Sequence, residues 1–219
     1  MKIKKLDHLS SIFNEYDAFI IDLWGVMHNG VSLNNSAVKA VSELQSNGKR
    51  IVFLSNAPRP TKKVVEFLKK MKMEDRFLKN VLTSGEAAIN SLKKNKFGLK
   101  FYHLGPKRDD SLFSDIKINK TTLDKCDFIL CTGLFDGESE NLQFYNDLLK
   151  NFTKKKLVCT NPDLIVHRGG EEEYCAGKIA EIFESLGGKV VYFGKPHKEV
   201  YISCLKSDQK TLVIGDNLK

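Results

Sequence analysis

Short runs of consecutive apolar residues alternate with amphipathic segments along most of the chain. Runs of this kind are typical of buried parallel strands, and apolar residues spaced three and four apart are typical of helices. Strands are predicted at about 18–22, 50–54, 100–104, 127–131, 156–159, 190–193 and 211–214. Helices are predicted between 34 and 48, from 60 to 71, at 87–92, and at about 139–153, 172–186 and 197–205. The alternation predicts an α/β fold with mostly parallel strands.

Local signals mark several helix ends. Asn34-Asn35-Ser36 is a capping cluster, and Gly48 is a plausible stop for the helix that follows it. Thr83-Ser-Gly-Glu86 has the spacing of a capping box.

Size and composition fit a folded protein of 219 residues, either one large domain or a core with an insertion. Hydrophobic residues make up 42% of the chain, yet no stretch approaches the ~20 apolar residues of a membrane span. The N-terminal segment lacks the apolar core of a secretion signal. Five cysteines without a CxxC pair predict reduced, mostly buried thiols. We therefore expect a cytoplasmic protein without membrane association.

The net charge of +8 comes from lysines dispersed along the chain. No arginine and aromatic interleaving accompanies them, so a solvated basic surface is favoured over nucleic-acid binding. A small anionic substrate fits this charge equally well.

Four polar motifs follow predicted strands. They are Asp22, Ser55-Asn56, Gly194-Lys195-Pro196 and Gly215-Asp216-Asn217. Open α/β sheets bind their ligands at the carboxyl ends of the strands, so one parallel sheet would bring all four motifs to one edge.

The residue types in these motifs suit phosphoryl transfer. An aspartate such as Asp22 can act as nucleophile or metal ligand, and together with Asp216 it can hold Mg²⁺. Lys195 and Ser55 can neutralise phosphoryl oxygens. Each motif alone is more often a turn or a cap, but the ordered set of four indicates a phosphoryl-transfer site.

In this order the motifs resemble those of the haloacid dehalogenase-like hydrolase superfamily. The resemblance is to class IIA, which contains sugar-phosphate and p-nitrophenyl-phosphate phosphatases, and it extends over the whole chain. The segments 160–164 and 176–178 also resemble that group. The resemblance implies a doubly wound, Rossmann-like parallel-sheet core formed by residues 1–79 and 190–219. Residues 80–189 would form an inserted α/β cap domain.

The resemblance also implies roles for the catalytic and metal-binding residues. Asp22 would be the nucleophile that forms an aspartyl-phosphate, with Lys195 beside the phosphoryl group. Mg²⁺ would be held by the side chains of Asp22 and Asp216 and by the backbone carbonyl of Trp24.

Further roles concern substrate binding. Ser55 would bind the phosphoryl group, helped by backbone donors at Trp24, Gly25 and Asn56. The cap would close over the site and select the substrate. By position only, Asn161, Asp163 and His167 are candidates for that selection.

Trp24 departs from the family pattern, because an aspartate that protonates the leaving oxygen usually stands two residues after the nucleophile. The indole N–H does not titrate usefully. Three interpretations stay open: His28 or a cap residue supplies the proton, the substrate has a good leaving group such as an acyl or aryl phosphate, or a phosphorylated ligand is bound with little turnover.

A second departure is at Lys219, where the sequence ends within the fourth motif. Family members usually continue with a Thr-Asp pair and further core elements. A truncated form is therefore expected, with the 211–214 strand lacking a covering helix and with impaired folding or activity.

The leading hypothesis is a Mg²⁺-dependent hydrolase of phosphate monoesters whose substrate is a small phosphorylated metabolite. The alternative is a phospholigand-binding or regulatory protein. Phosphonate or carbon–halogen chemistry ranks third. Homodimerisation through the cap is expected from the family.

Overall fold

The structure is a computed structural model that describes residues 5–138, 140–168 and 171–216. Its strands are β1 (Ala18–Asp22), β2 (Arg50–Ser55), β3 (Val81–Thr83), β4 (Phe101–Leu104), β5 (Phe128–Cys131), β6 (Lys156–Cys159), β7 (Ile165–Arg168), β8 (Glu171–Tyr174), β9 (Lys189–Tyr192) and β10 (Thr211–Ile214). Its α-helices are α1 (Asn35–Ser46), α2 (Thr61–Lys70), α3 (Asp75–Leu78), α4 (Ser84–Leu92), α5 (Leu142–Leu149), α6 (Ala176–Ser185) and α7 (Lys198–Ile202). Short 3-10 segments lie at Leu9–Ser11, Phe13–Glu15 and Lys107–Asn119.

The first sheet has the strand order β10-β1-β2-β3, and its strands are parallel. The register pairs Asp22 with Leu54 and Ser55 with Thr83, so the carboxyl ends of neighbouring strands lie at one edge. Helices cover both faces: α1, α2 and α3 pack on the face of Phe19 and Phe53, and α7 packs on the opposite face.

The second sheet has the order β4-β5-β6-β9 and is also parallel. Helices α5 and α6 pack on one face, against Ile129 and Leu157. Helix α4 and the 107–119 segment pack on the other face, against Phe128 and Val158. Strands β7 and β8 form a separate antiparallel pair. The predicted α/β class, with parallel sheets covered on both faces, is confirmed.

Two strands near the predicted domain boundaries pair in a different sheet from the one expected. Strand β9 pairs with β6 in the second sheet, although residues from 190 onward were assigned to the core. Strand β3 pairs with β2 in the first sheet, although residues from 80 onward were assigned to the cap. Strand pairing is non-local, and the periodicity of a strand does not specify its neighbour.

Local predictions vary in accuracy with the strength of their signals. The side chain of Asn34 caps α1, accepting from Ser36 and Ala37 N–H, as expected. Thr83 caps α4 by accepting from Glu86 N–H, as the capping-box spacing predicts. The helix predicted at 172–186 is wrong in its first part, because residues 171–174 pair with β7 as a strand.

All five cysteines are buried and free, in agreement with their expected role as core thiols. Among the described residues, no helix is both long enough and apolar enough to cross a bilayer.

Candidate active site

Three of the predicted site residues lie at the carboxyl edge of the first sheet. Asp22 is the last residue of β1 and Ser55 is the last residue of β2, while Asp216 comes two residues after β10. The side chain of Asp22 is 15% exposed, so its carboxylate lies at a protected opening of the sheet edge. Asn217, the last residue of the fourth motif, lies outside the described residues.

Lys195 reaches the same place from the second sheet. It follows β9, and its Nζ forms an ion pair with Oδ1 of Asp22. The expectation that one sheet delivers all four motifs is therefore wrong. Three motifs follow strands of the first sheet. The motif with the lysine follows β9, which belongs to the second sheet.

The carboxylate of Asp216 packs against the backbone of Gly25. A Cβ built on Gly25 would lie 1.9 Å from Oδ2 of Asp216, and Gly25 has φ +80°. Glycine is required here both for the left-handed backbone and for the close approach of the carboxylate. The loop after β1 thus brings Gly25 and the two acidic residues together.

Burial raises the pKa of Asp22 above its ordinary value. Lys195 opposes this shift through its charge and its hydrogen bond, and the negative charge of Asp216 adds to it. Backbone N–H of Leu23 also donates to Oδ1 at 2.7 Å and favours the ionised form. Two acidic groups held this close are stabilised by a cation between or beside them.

The donor set is compatible with a hard divalent cation. Asp22 and Asp216 supply carboxylate oxygens, and Mg²⁺ typically takes one or two carboxylates while keeping several waters. In the described ranges, no group of three or more His, Cys, Asp or Glu side chains has metal-site geometry. A site in this position therefore depends on two carboxylates and on backbone or water oxygens.

Trp24 packs back onto its own loop. Its ring makes an edge contact with His28, with centroids 5.4 Å apart. A Cβ on Gly30 would lie 2.6 Å from Cη2 of Trp24, so the indole covers that glycine. His28 in turn contacts Phe67, with centroids 5.6 Å apart.

His28 is poorly suited to donate a proton to a leaving group. The residue is buried, at 5% exposure, and burial lowers its pKa. Its Nδ1 accepts a hydrogen bond from Gly30 N–H at 3.1 Å, which assigns the proton of the neutral ring to Nε2. The ring lies between Trp24 and Phe67, so its contacts are those of a packing residue.

Ser55, the last residue of β2, and Asn56, the residue after it, are both buried. The hydroxyl of Ser55 accepts from Ala57 N–H at 3.2 Å and keeps its own proton available for a ligand. The side chain of Asn56 instead bonds to Asp163 and to the backbone of Lys195.

Two of the three candidates for substrate selection, Asn161 and Asp163, lie in the loop after β6. Asp163 is brought to the site edge by its contact with Asn56. Asn161 accepts from Asp163 N–H at 3.1 Å and so shapes the loop. His167 lies on β7, and its side chain is outside the described part of the structure.

One pair of charged residues, Arg59 and Asp109, was not predicted from the sequence. Nε of Arg59, on the loop after β2, lies 3.9 Å from Oδ1 of Asp109, on the segment after β4. The carboxyl is 3% exposed, and burial raises its pKa to about 6. The Gly105-Pro106 pair that ends β4 marks a loop, but nothing in the local pattern indicates a buried acid there.

The chain is similar in sequence and structure to known proteins. Residues 19–119 match a sequence family described as haloacid dehalogenase-like hydrolase. A hydrolase of the haloacid dehalogenase-like family from Brucella suis 1330 is 29% identical, with a TM-score of 0.83 over 91% of this chain and 77% of that one. No curated protein sequence is significantly similar to the chain.

Two more distant structures share the fold. The 4-nitrophenylphosphatase from Thermotoga maritima is 24% identical, with a TM-score of 0.70 over 88% of this chain and 74% of that one. The glycerol phosphate phosphatase from Mycobacterium tuberculosis, in complex with magnesium, is 20% identical, with a TM-score of 0.70 over 94% and 64%.

Proposed function

Because residues 19–119 match the haloacid dehalogenase-like hydrolases, we propose that this chain belongs to them and hydrolyses phosphate monoesters through Asp22. The observation that carries the proposal is the ion pair between Asp22 and Lys195. It unites a nucleophile from one sheet with a cation from the other, beside the second carboxylate of Asp216. A carboxylate flanked by a fixed ammonium suits attack on an anionic phosphoryl group.

In the proposed reaction, an Asp22 oxygen attacks phosphorus while the bond from phosphorus to the leaving oxygen breaks. This step forms an aspartyl-phosphate and releases the leaving group as its anion, a phenolate or carboxylate, which takes any proton from solvent. Water then attacks the acyl phosphate, which releases phosphate and regenerates the Asp22 carboxylate. Lys195 leaves its contact with Asp22 to neutralise the phosphoryl oxygens, and the Ser55 hydroxyl and backbone donors at Trp24, Gly25 and Asn56 assist it.

Magnesium is the proposed metal, held by Asp22, Asp216 and the backbone carbonyl of Trp24. When bound, it would supply positive charge that offsets repulsion between the carboxylates and the phosphoryl group. The magnesium complex of the Mycobacterium tuberculosis phosphatase supports this choice.

The proposed site lacks an evident proton donor for the leaving group. With Trp24 in place of the usual aspartate, and with His28 buried and neutral, neither side chain offers a ready proton. General acid catalysis typically contributes ~10²–10⁴-fold. The proposed substrates are therefore phosphates with good leaving groups, such as aryl or acyl phosphates.

The second sheet unit is proposed to act as the cap. Its β6 loop brings Asp163 to the site edge and β9 leads to Lys195, so substrate selection is assigned to Asn161 and Asp163. A small phosphorylated metabolite is the proposed substrate class. Cytoplasmic location, homodimerisation through the cap, and the lack of nucleic-acid and membrane partners stay predictions.

The test is phosphate release from p-nitrophenyl phosphate and acetyl phosphate, with and without Mg²⁺. Metal-dependent turnover that disappears in Asp22→Asn is the expected result. Lys72→Gln, on the exposed connection after α2, is a matched surface control that keeps wild-type activity. Turnover that persists in Asp22→Asn would exclude the assigned nucleophile.

A second function, binding of a phosphorylated ligand with little turnover, is favoured by Trp24. It predicts ligand binding by the folded protein, measured by calorimetry, together with no phosphate release from any substrate in the panel.

A further inference from the structure

The side chain of Asn56 lies at the junction of the two sheet units. It is 8% exposed and makes three hydrogen bonds. Its Nδ2 donates to Oδ1 of Asp163 at 3.0 Å and to the carbonyl oxygen of Lys195 at 3.1 Å. Its Oδ1 accepts from Lys195 N–H at 2.7 Å.

These bonds occupy the polar atoms of the amide. A carboxamide has two N–H donors and one acceptor oxygen, and here both donors and the oxygen have protein partners. An acceptor on the substrate, such as a phosphoryl oxygen, would have to displace Asp163 or the Lys195 carbonyl to reach the N–H groups of this amide. The geometry therefore favours a role for the Asn56 side chain in holding other parts of the protein, and not in binding a ligand.

Lys195 is held at both backbone polar groups by one side chain. The preceding residue, Gly194, has φ +133°, and a Cβ there would lie 2.3 Å from Cδ of Pro162 and 2.9 Å from Oδ1 of Asn56. The chain at the end of β9 is thus pressed between the Asn56 loop and the 160–163 loop. Little room is left for the Lys195 backbone to move.

We propose that Asn56 is a positioning residue that sets the Lys195 ammonium against Asp22 and links it to the Asp163 loop. The inference rests on the proposed function for its catalytic consequence, but the positioning itself is a property of the structure. Since Asp163 belongs to the second sheet unit, the same amide ties the lysine to the position of the proposed cap. Displacing a catalytic group by about 1 Å can cost about 10²-fold in rate.

The first test follows the Lys195 amide directly. In protein labelled with ¹⁵N-lysine, hydrogen exchange of the Lys195 N–H is expected to accelerate at least about tenfold in Asn56→Ala, because its acceptor is lost. Ser84→Ala is the matched control. Ser84 also joins the two units, donating to the carbonyl of Thr160 at 2.5 Å, but it does not contact Lys195.

The second test separates positioning from substrate binding. For Asn56→Ala, kcat is expected to fall about 10- to 100-fold with KM changed less than about threefold. Loss of a substrate ligand would instead raise KM and leave kcat near its wild-type value.

A rescue experiment checks the link to Asp163. Asn56→Asp keeps an acceptor for Lys195 N–H but loses both donors and places a negative charge beside Asp163. Adding Asp163→Asn restores one hydrogen bond with donor and acceptor exchanged. The kcat of the double variant is expected to be at least about tenfold higher than the kcat of Asn56→Asp alone.

The outcomes distinguish the two proposals. Faster exchange of the Lys195 amide in Asn56→Ala but not in Ser84→Ala, with a kcat defect and rescue, supports the inference. Unchanged exchange, or an effect on KM alone, overturns it. An inactive wild-type protein in which Asn56→Ala still accelerates exchange overturns the proposed hydrolase and supports the positioning geometry.

Discussion

Trp24 lies two residues after Asp22, and its ring packs on Gly30 and His28. The indole lies directly before the Gly25 turn, in the loop that follows Asp22. Its contacts are those of a packing residue, and under the proposed function the choice of leaving group depends on this one position.

Trp24→Asp is expected to broaden the substrate range. A carboxyl at this position can protonate an alkoxide, so kcat/KM for an alkyl phosphate should rise at least about tenfold relative to p-nitrophenyl phosphate. Trp24→Asn is the control, because it loses the same packing without gaining a titratable proton. Equal substrate ratios in the two variants would contradict the explanation.

Asp109 is a buried carboxyl whose ionisation destabilises the folded state. Its carboxyl is buried, and Oδ1 has no hydrogen-bond partner among the described residues, since Arg59 Nε at 3.9 Å is beyond hydrogen-bond distance. Burial raises its pKa to about 6, from a reference value of 3.8. The folded state thus holds this proton more tightly than the unfolded state does.

Asp109→Asn is expected to stabilise the protein at neutral pH. A carboxyl with a raised folded-state pKa contributes stability below pH 4 that is lost as the pH rises through about 6. A shift of about two units corresponds to about 3 kcal/mol. Urea unfolding should show the variant more stable by up to about 3 kcal/mol at pH 7.5.

The difference between wild type and Asp109→Asn should shrink toward pH 4. Asp115→Asn is the contrasting control, because the Lys93 hydrogen bond lowers the pKa of Asp115 and the sign of the effect reverses. A gain from Asp109→Asn that does not depend on pH would refute the titration argument.

At the scale of elements, the N-terminus of α4 connects the two sheets. The Thr83 hydroxyl accepts from Glu86 N–H at 3.1 Å and donates to the carbonyl of Arg59 at 2.7 Å. Strand β3 ends in the first sheet at this residue, while α4 packs on the second sheet. One side chain therefore stabilises both the helix start and the β2–α2 loop.

Thr83→Ala is expected to cost about 2–3 kcal/mol of unfolding free energy. Loss of a cap costs about 1 kcal/mol, and loss of the part-buried hydrogen bond to the Arg59 carbonyl adds about 1–2 kcal/mol. Asn141→Ala removes an exposed cap from α5, where Asn141 accepts from Phe144 N–H, and should cost about 1 kcal/mol. Equal costs in denaturant unfolding would show that the bond to Arg59 contributes nothing.

Elements with strong local signals were predictable. Strands β1, β2 and β6 and helices α1 and α2 lie close to their predicted bounds, because buried runs and caps act over a few residues. Strand β8 was missed because Glu171-Glu-Glu-Tyr174 has no apolar alternation and depends on pairing with β7. The Gly169-Gly170 pair between them is the sequence signal that favours a hairpin.

At the scale of the whole molecule, two sheets with separate cores meet where Asp22, Asp216 and Lys195 come together. Under the proposed function, ion binding at this junction would link the stability of the fold to the site. A cation that binds the folded state alone stabilises it by mass action, by about 2.7 kcal/mol at 100 times its Kd.

Mg²⁺ at saturating concentration is accordingly expected to raise the thermal midpoint, and chelation should reverse the shift. Asp216→Asn should abolish the effect, because it removes one of the two proposed carboxylate ligands. Sodium chloride at matched ionic strength controls for screening. A Mg²⁺-dependent shift of the same size in Asp216→Asn would exclude Asp216 as a ligand.

The alternation of apolar runs with amphipathic segments was enough to predict the α/β class, and the polar residue after the first run was enough to predict the carboxylate at the end of β1, since both signals are local in sequence. The sequence by itself also determined that a hydroxyl, a lysine and a second carboxylate follow later strands. The local pattern did not predict that Lys195 follows a strand of the other sheet, that Asn56 hydrogen-bonds to the Lys195 backbone, or that Asp109 is buried. Those features depend on which strands pair and on what surrounds each charge, and both are contacts between residues far apart in the chain.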